Sequence, residues 1–485
     1  MVEKYASRGM EELYPWQQRC LQADARVLAG TRNLVYCAPT SGGKTLVAEL
    51  LMLRAVTSGR GPALLILPFV SIVNEKERDL RHLLEDERHL RVRGFYGGSG
   101  ERITEPFDIG ICTIEKANSI INMLLEEKQL QKLSMIVVDE LHLLADTNRG
   151  YLVEVLIICM DKTTTLIRGE EDIQIVAMSA TIRKVRRLAS WLDAQKHKTK
   201  YRPVEHTEMI CYSQRNSVLV LVFAVDSKQI ETVAIILVAV LTFVMARRHT
   251  RLELKNIDID VFVHLSSTRG RYWIGMANCL LAACHEVIED SVLIFCQSKK
   301  QCESVAATLA ARLPQAADAD DVDRATWPLA NADVTAQKAA GKDNLPPYLA
   351  SLRRCVRHRV AWHHADLHKE DRRLIEKLYR SGKVKALCAT STLAAGVNLP
   401  ARRVIFNYGL RDLQGIRIGM GDLTPAQYKQ MSGRAGRKGQ GTIGESVVLC
   451  DTQKGLSLMN TKILPLESVL DQGGLRRLIL EMLCV

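Results

Sequence analysis

The sequence has thirteen cysteines but no CxxC pair among its 485 residues. Its nearest cysteine clusters, Cys279 with Cys284 and Cys296 with Cys302, lack zinc-ligand spacing. An odd set of scattered thiols reads as buried cysteines kept reduced, which argues against a disulfide framework. The first residues, MVEKYASRGMEELYPW, are charged and offer no apolar stretch of the secretory kind. Long apolar runs are also missing. The nearest imitation of a membrane span is VAIILVAVLTFVMA, Val233 to Ala246, followed by Arg247 and Arg248. It is short of the roughly 20 residues that cross a bilayer, so it reads as a buried helix or strand pair and no membrane partner is expected. Aromatic residues make up only 5% of the chain, so the interiors must be aliphatic.

What is present is ample: 47% of residues are apolar, enough for two or three domains at this length. The formal charge of +12 favours a polyanionic partner such as nucleic acid without requiring one. From 33 to 195, short apolar runs (NLVYC, ALLILPF, DIGICT, MIVVDE, IQIVAMSA) alternate with helical stretches, and each run ends in polar residues. That alternation is the grammar of a parallel sheet with crossover helices, whose ligands collect at the carboxyl ends of the strands. The pattern restarts at SVLIFCQSKK and continues through KALCATSTLAAG, RRVIFNY and ESVVLC. The expected class is therefore α/β, with tandem, mostly parallel sheets carrying helices on both faces. The expected divisions are 1–207 for the first domain, 208–264 for an irregular, apolar linker or insertion, and 265–460 for the second domain. An Ala- and Asp-rich insertion at 313–347 is expected to be solvent-exposed and disordered, and a further domain is expected to begin at 461–485.

In APTSGGKT the spacing is that of a phosphate-binding loop, with Ala38 at the position of the usual first glycine. Pro39, Thr40, Ser41, Gly42 and Gly43 would shape the loop, Lys44 would reach the β and γ phosphates of ATP, and Thr45 would hold Mg²⁺. MIVVDELH places Asp139 and Glu140 at a strand end, where adjacent carboxylates are costly without a cation. Asp139 would hold Mg²⁺ and Glu140 would polarise the attacking water. His142, and Ser179 with Thr181 in MSAT, could relay changes at Asp139; a polar strand end is the plainer reading of MSAT. Gln17, beside Trp16 in LYPWQQ, could read the adenine edge or simply start a helix. Far downstream, QMSGRAGRKG presents Gln430, Arg434 and Arg437 on a glycine-spaced frame. A guanidinium aimed at the γ phosphate from a second domain would couple hydrolysis to opening and closing; a basic surface turn is the alternative.

Together these stretches, with ILPFVSIVNEK, CTIEKANSIINMLLEE, VVDELHLLADTNRGYLVE, CQSKKQCESVA and ATSTLAAGVNLPARRVI, resemble superfamily-two helicases. The nearest resemblance is to the group of helicase Q, its archaeal relatives and the helicase domain of DNA polymerase theta. The resemblance covers most of 13–205 and 288–460 and implies two tandem RecA-like domains. It further implies ATP- and Mg²⁺-dependent 3′ to 5′ movement on single-stranded or forked DNA, in repair or recombination, in the nucleus. It assigns strand contacts to Pro68 through Ser71, Thr113 and Lys116 in the first domain, and to Ser298, Lys299, Lys300, Thr390 and Thr392 in the second. Gly396 and Asn398 would lie at the nucleotide site, Tyr408–Leu423 would be a strand-splitting hairpin, and 461–485 would begin a winged helix.

Two departures qualify the resemblance. The family carries glycine where this chain has Asp366, in HHADL, and a carboxylate there should weaken phosphate binding. Residues 213–265 match no part of the family pattern. These features keep two other functions open: a nucleotide-binding scaffold uncoupled from strand movement, and a helicase directed to RNA.

Overall fold

The computed structural model describes residues 5, 12–88, 90–97, 106–145, 149–166, 173–180, 182, 184–214, 217–223, 249–254, 257–265, 290–316, 347–390, 393, 399, 401–407, 423, 425–436, 443–449, 458–459, 468 and 470–483. The chain divides into two compact units. One contains Met1–Arg202 and Lys462–Val485; the other contains Pro203–Ala394 and Leu399–Thr461.

The first unit is built on β1 (Asn33–Cys37), β2 (Ala63–Leu67), β3 (Val92–Phe95), β4 (Ile109–Thr113), β5 (Met135–Val138), β6 (Gln174–Ser179) and β7 (Ala194–Lys198). They form one parallel sheet in the order β3-β4-β2-β5-β6-β1-β7. Its helices are α1 (Pro15–Gln22), α2 (Ala25–Ala29), α3 (Lys44–Thr57), α4 (Val70–Arg88), α5 (Ile114–Glu126), α6 (Gly150–Leu166) and α7 (Val185–Trp191). The strands read as unbroken apolar runs because both faces are covered. Along β1, Leu34 and Tyr36 enter a core with Trp16, Leu51 and Val73 of α1, α3 and α4. Val35 and Cys37 point the other way, to Ile120, Leu156 and Leu188 of α5, α6 and α7.

The second unit holds β8 (Glu205–Gln214), β9 (Ser217–Phe223), β10 (His249–Leu254), β11 (Ile257–Leu265), β12 (Val292–Cys296), β13 (Val360–His363), β14 (Ala386–Thr390), β15 (Arg403–Asn407) and β16 (Ile443–Leu449). Their order is β10-β11-β9-β8-β16-β15-β12-β14-β13. From β8 to β13 the pairing is parallel, and β8, β9, β11 and β10 pair antiparallel. Its helices are α8 (Lys299–Ala310), α9 (Pro347–Arg357), α10 (Lys369–Arg380) and α11 (Pro425–Ser432). Two sheets of mainly parallel strands with helices fit the tandem RecA-like class that the family resemblance implies.

Much of 208–264 is strand, although the sequence reads there as irregular. Runs such as SVLVLVF favour extended backbone through their β-branched side chains. Their pairing with one another is antiparallel, so they do not repeat the pattern of the parallel sheet they extend. Val233–Ala246, nearly all of 313–347, and Tyr408–Leu423 except for Leu423 lie outside the described residues. No described helix is long and apolar enough to cross a membrane. Near the C terminus α12 (Gln472–Leu483) belongs to the first unit, and Leu470 just before it packs against Val155 of α6.

Candidate nucleotide and nucleic-acid sites

The phosphate loop joins β1 to α3. Its backbone turns on Ser41 (φ 64°) and Gly43 (φ 82°), both left-handed, and folds back through Gly42 N–H to the Pro39 carbonyl at 3.0 Å. Consecutive turns of this kind aim N–H groups into one concavity, the geometry of an anion nest. Gly43 is required twice over: its φ is unfavourable for a side chain, and a Cβ there would meet Gln17 Nε2 at 2.7 Å. The loop is tied down from outside. Trp16 Nε1 donates to the Gly42 carbonyl (3.0 Å), Gln17 Nε2 donates to the Gly43 carbonyl (2.8 Å), and Ala38 N–H donates to the Ser179 carbonyl (3.2 Å). Lys44 opens α3, with Nζ 3.4 Å from the Pro39 carbonyl. Thr45 stands in the first turn of the same helix.

Gln17 has a task that the sequence did not show. Its amide oxygen accepts from Tyr14 N–H (2.7 Å), which caps α1, and its amide nitrogen holds Gly43, so the buried side chain braces the loop. The Tyr14 and Tyr201 rings lie 5.0 Å apart at a 47° tilt, which places an aromatic pair beside the loop.

Asp139 and Glu140 follow β5. Asp139 Oδ1 accepts from Glu140 N–H (2.7 Å), and Glu140 adopts φ 52°, a strained angle for a residue with a side chain. His142 Nδ1 lies 3.1 Å from Glu140 Oε2 and 3.2 Å from Ser179 Oγ, linking the ends of β5 and β6. Burial, and then the Glu140 charge, push the Asp139 carboxyl up to about 7; Lys44 pulls the other way. Excess negative charge on hard oxygen donors is what a divalent cation relieves, and Thr45 with Asp139 suits Mg²⁺ in that respect. Among the described residues no cluster of His, Cys, Asp and Glu forms a separate metal site.

The raised Asp139 value has a consequence for stability. The folded unit holds a proton that the unfolded chain has already released above pH 4, so this contribution is complete below the ordinary carboxylate range and is lost as pH rises through about 7. Part of Asp139 reaches the surface, which trims the effect to the order of 2 kcal/mol at pH 8. Nucleotide-free Asp139→Asn is expected to melt roughly 5 °C above the parent at pH 8 and at about the same temperature near pH 4.5. Scanning fluorimetry across pH checks this, and an equal gain at both pH values contradicts it.

The residues of the first unit that the resemblance assigns to a nucleic-acid strand lie at or just beyond the carboxyl ends of β2 and β4. Pro68 is buried and Ser71 exposed. Thr113 caps α5, its Oγ1 accepting from Lys116 N–H at 3.4 Å, and Lys116 occupies that first turn. Arg149, to which the sequence reading gave no role, joins these segments. It donates to the Pro68 carbonyl (2.8 Å) and to Glu115 Oε1 (2.8 Å), and its guanidinium lies 5.4 Å from the Phe69 ring centre. Its only sequence signal is a cation next to the glycine that starts α6.

In the second unit Ser298 caps α8, accepting from Gln301 N–H at 3.2 Å, and Lys299 and Lys300 are exposed in the first turn. Thr390 ends β14. Gln430 lies in the last turn of α11, and Arg434 follows two residues beyond that helix, its carbonyl accepting from Ala401 N–H at 3.2 Å. Gly436 (φ 75°) approaches Gly444 so closely that a Cβ would stand 2.9 Å from the Gly444 Cα. Thr181, Thr392, Gly396, Asn398 and Arg437 lie outside the described residues.

Comparison with known proteins agrees with this layout. Residues 14–188 match the DEAD/DEAH box helicase family, and 336–439 match the helicase conserved C-terminal domain. DNA polymerase theta of Mus musculus is 38% identical over 98% of this chain, and that of Drosophila melanogaster is 36% identical over 99%. Helicase POLQ-like of Homo sapiens is 35% identical over 95%. The chain spans 18%, 22% and 37% of those three proteins, respectively.

Proposed function

The chain belongs to the POLQ-like helicases, with DEAD/DEAH box and helicase C-terminal domains, and on that premise we propose that it is an ATP-driven DNA helicase core. The reaction is hydrolysis of the β–γ bond of ATP, coupled to 3′ to 5′ movement along single-stranded or forked DNA. The single observation that supports it most is the meeting of an anion nest at Ser41–Lys44 with a strand-end carboxylate pair in one sheet.

On this reading the backbone from Ala38 to Gly43 cradles the phosphates, and Lys44 neutralises the β and γ oxygens. Magnesium, held by Thr45 and Asp139, would supply further charge neutralisation on those oxygens. Glu140 accepts the proton of the attacking water, and His142 orients its carboxylate. Gln430, Arg434 and Arg437 act on the γ phosphate, with Gly396 and Asn398 linking strand and nucleotide. Pro68, Ser71, Thr113, Lys116, Ser298, Lys299, Lys300, Thr390 and Thr392 hold the strand by its phosphates rather than by its bases. A role in DNA repair, in the nucleus, is part of the same proposal and rests on the resemblance to these relatives.

Steady-state ATP hydrolysis with and without single-stranded DNA tests the reading. Stimulation by DNA is expected, and hydrolysis indifferent to DNA favours a nucleotide-binding scaffold. Competition between matched DNA and RNA strands at fixed salt decides which nucleic acid is the track.

A further inference from the structure

Lys299 and Asp366 form an ion pair with Nζ 2.5 Å from Oδ1. Lys299 is the first residue of α8, just beyond β12, and Asp366 lies in the turn just beyond β13. These two strands flank β14. The pair therefore lies at the carboxyl end of β14, where Thr390 stands. Both side chains keep about half their surface in water, 49% for Lys299 and 63% for Asp366. An exposed pair of this kind contributes little to folding and opens easily. Its hydrogen bond to Lys299 holds the Asp366 carboxyl below the ordinary range, so the carboxylate is charged throughout the neutral region.

The turn does not depend on this pair. Leu367 N–H donates to the His364 carbonyl (3.2 Å), and His364 Nε2 lies 3.1 Å from Glu303 Oε1. The Asp366 carboxylate thus performs no evident task in folding, yet it occupies a cation facing the proposed track.

We infer that Asp366 is a built-in competitor for nucleic-acid phosphate, a carboxylate that a strand must displace from Lys299 before the second unit grips it. The inference rests on the reading of Lys299 as a strand contact. A phosphate that meets a bare lysine sheds a condensed cation, whereas here the carboxylate set free from Lys299 takes a cation up again, and the salt dependence records the difference. The consequence is a deliberately weakened grip at one point of the track, and faster release there.

The test uses the full chain and a labelled single strand of about 20 thymidines, with anisotropy measured across roughly 50–200 mM salt. Asp366→Asn is expected to tighten binding about three- to tenfold at the low-salt end and to steepen the salt slope by about 0.7. Lys299→Ala is expected to weaken binding and to abolish most of the gain from Asp366→Asn in the double variant. If Lys299→Ala weakens binding while Asp366→Asn keeps the parent affinity and slope, the competitor role fails and the contact stands. If Lys299→Ala changes nothing, the contact reading fails and takes the competitor with it. An undiminished gain in the double variant also overturns the inference, because Asp366 would then act on the strand without Lys299.

Discussion

Lys44→Ala is expected to lower ATP hydrolysis by at least about 10³-fold, toward background, while leaving strand binding largely in place. Two effects compound. The ammonium that would meet the β and γ phosphates is removed, and with it the only cation among the resolved influences on Asp139 that comes from the phosphate loop. Without Lys44, the Asp139 carboxyl loses a cation that holds it down and rises further from the ordinary range. The fold should survive, because the loop is held by Trp16, Gln17 and Ala38 through backbone groups that Lys44 does not supply. Phosphate release and anisotropy on the same preparation separate the two properties. Hydrolysis within tenfold of the parent would remove Lys44 from the chemistry. Joint loss of hydrolysis and strand affinity would mean that the loop had collapsed.

The loop, the carboxylate pair and the strands of the first unit were legible in the sequence for a common reason: each is local. A left-handed turn asks for Gly43 within a few residues of β1, and an apolar run covered on both faces must be buried along its whole length, so both leave marks at fixed spacing. Features made by distant pairing left none. Arg149 reaches Pro68 across 81 positions, and Lys299 reaches Asp366 across 67. Gln17 stood out as a reader of the adenine edge or an ordinary helix start, but its partner Gly43 lies 26 residues on, so the sequence could not show the brace. The strands of 208–264 escaped for another reason, since they pair antiparallel at one side of a parallel sheet and so break the pattern that announces the others.

The second large effect is expected from the arginines. Arg437→Ala should bind ATP yet hydrolyse it about 10³-fold or more slowly, which is the low end of what removal of an arginine finger costs. Arg434→Ala is the necessary companion, because the segment carrying both is rigid at its start. Arg434 leaves α11 through Gly433 N–H to the Lys429 carbonyl (3.2 Å), and Ala401 and Gly436 are joined by a 2.9 Å hydrogen bond. With Arg434 held in this way, the two arginines are tested separately, and their contributions are expected to differ. Arginine→lysine at the operative position should not rescue hydrolysis, since a point charge lacks the planar fork that spans two phosphate oxygens. Turnover and affinity for a fluorescent ATP analogue, measured for each variant, give the assignment. The variant that loses turnover and keeps affinity identifies the finger. Parent-like turnover in both would leave GRAGRKG as a basic surface turn, and with it would go the physical reason for a second domain to respond to the γ phosphate.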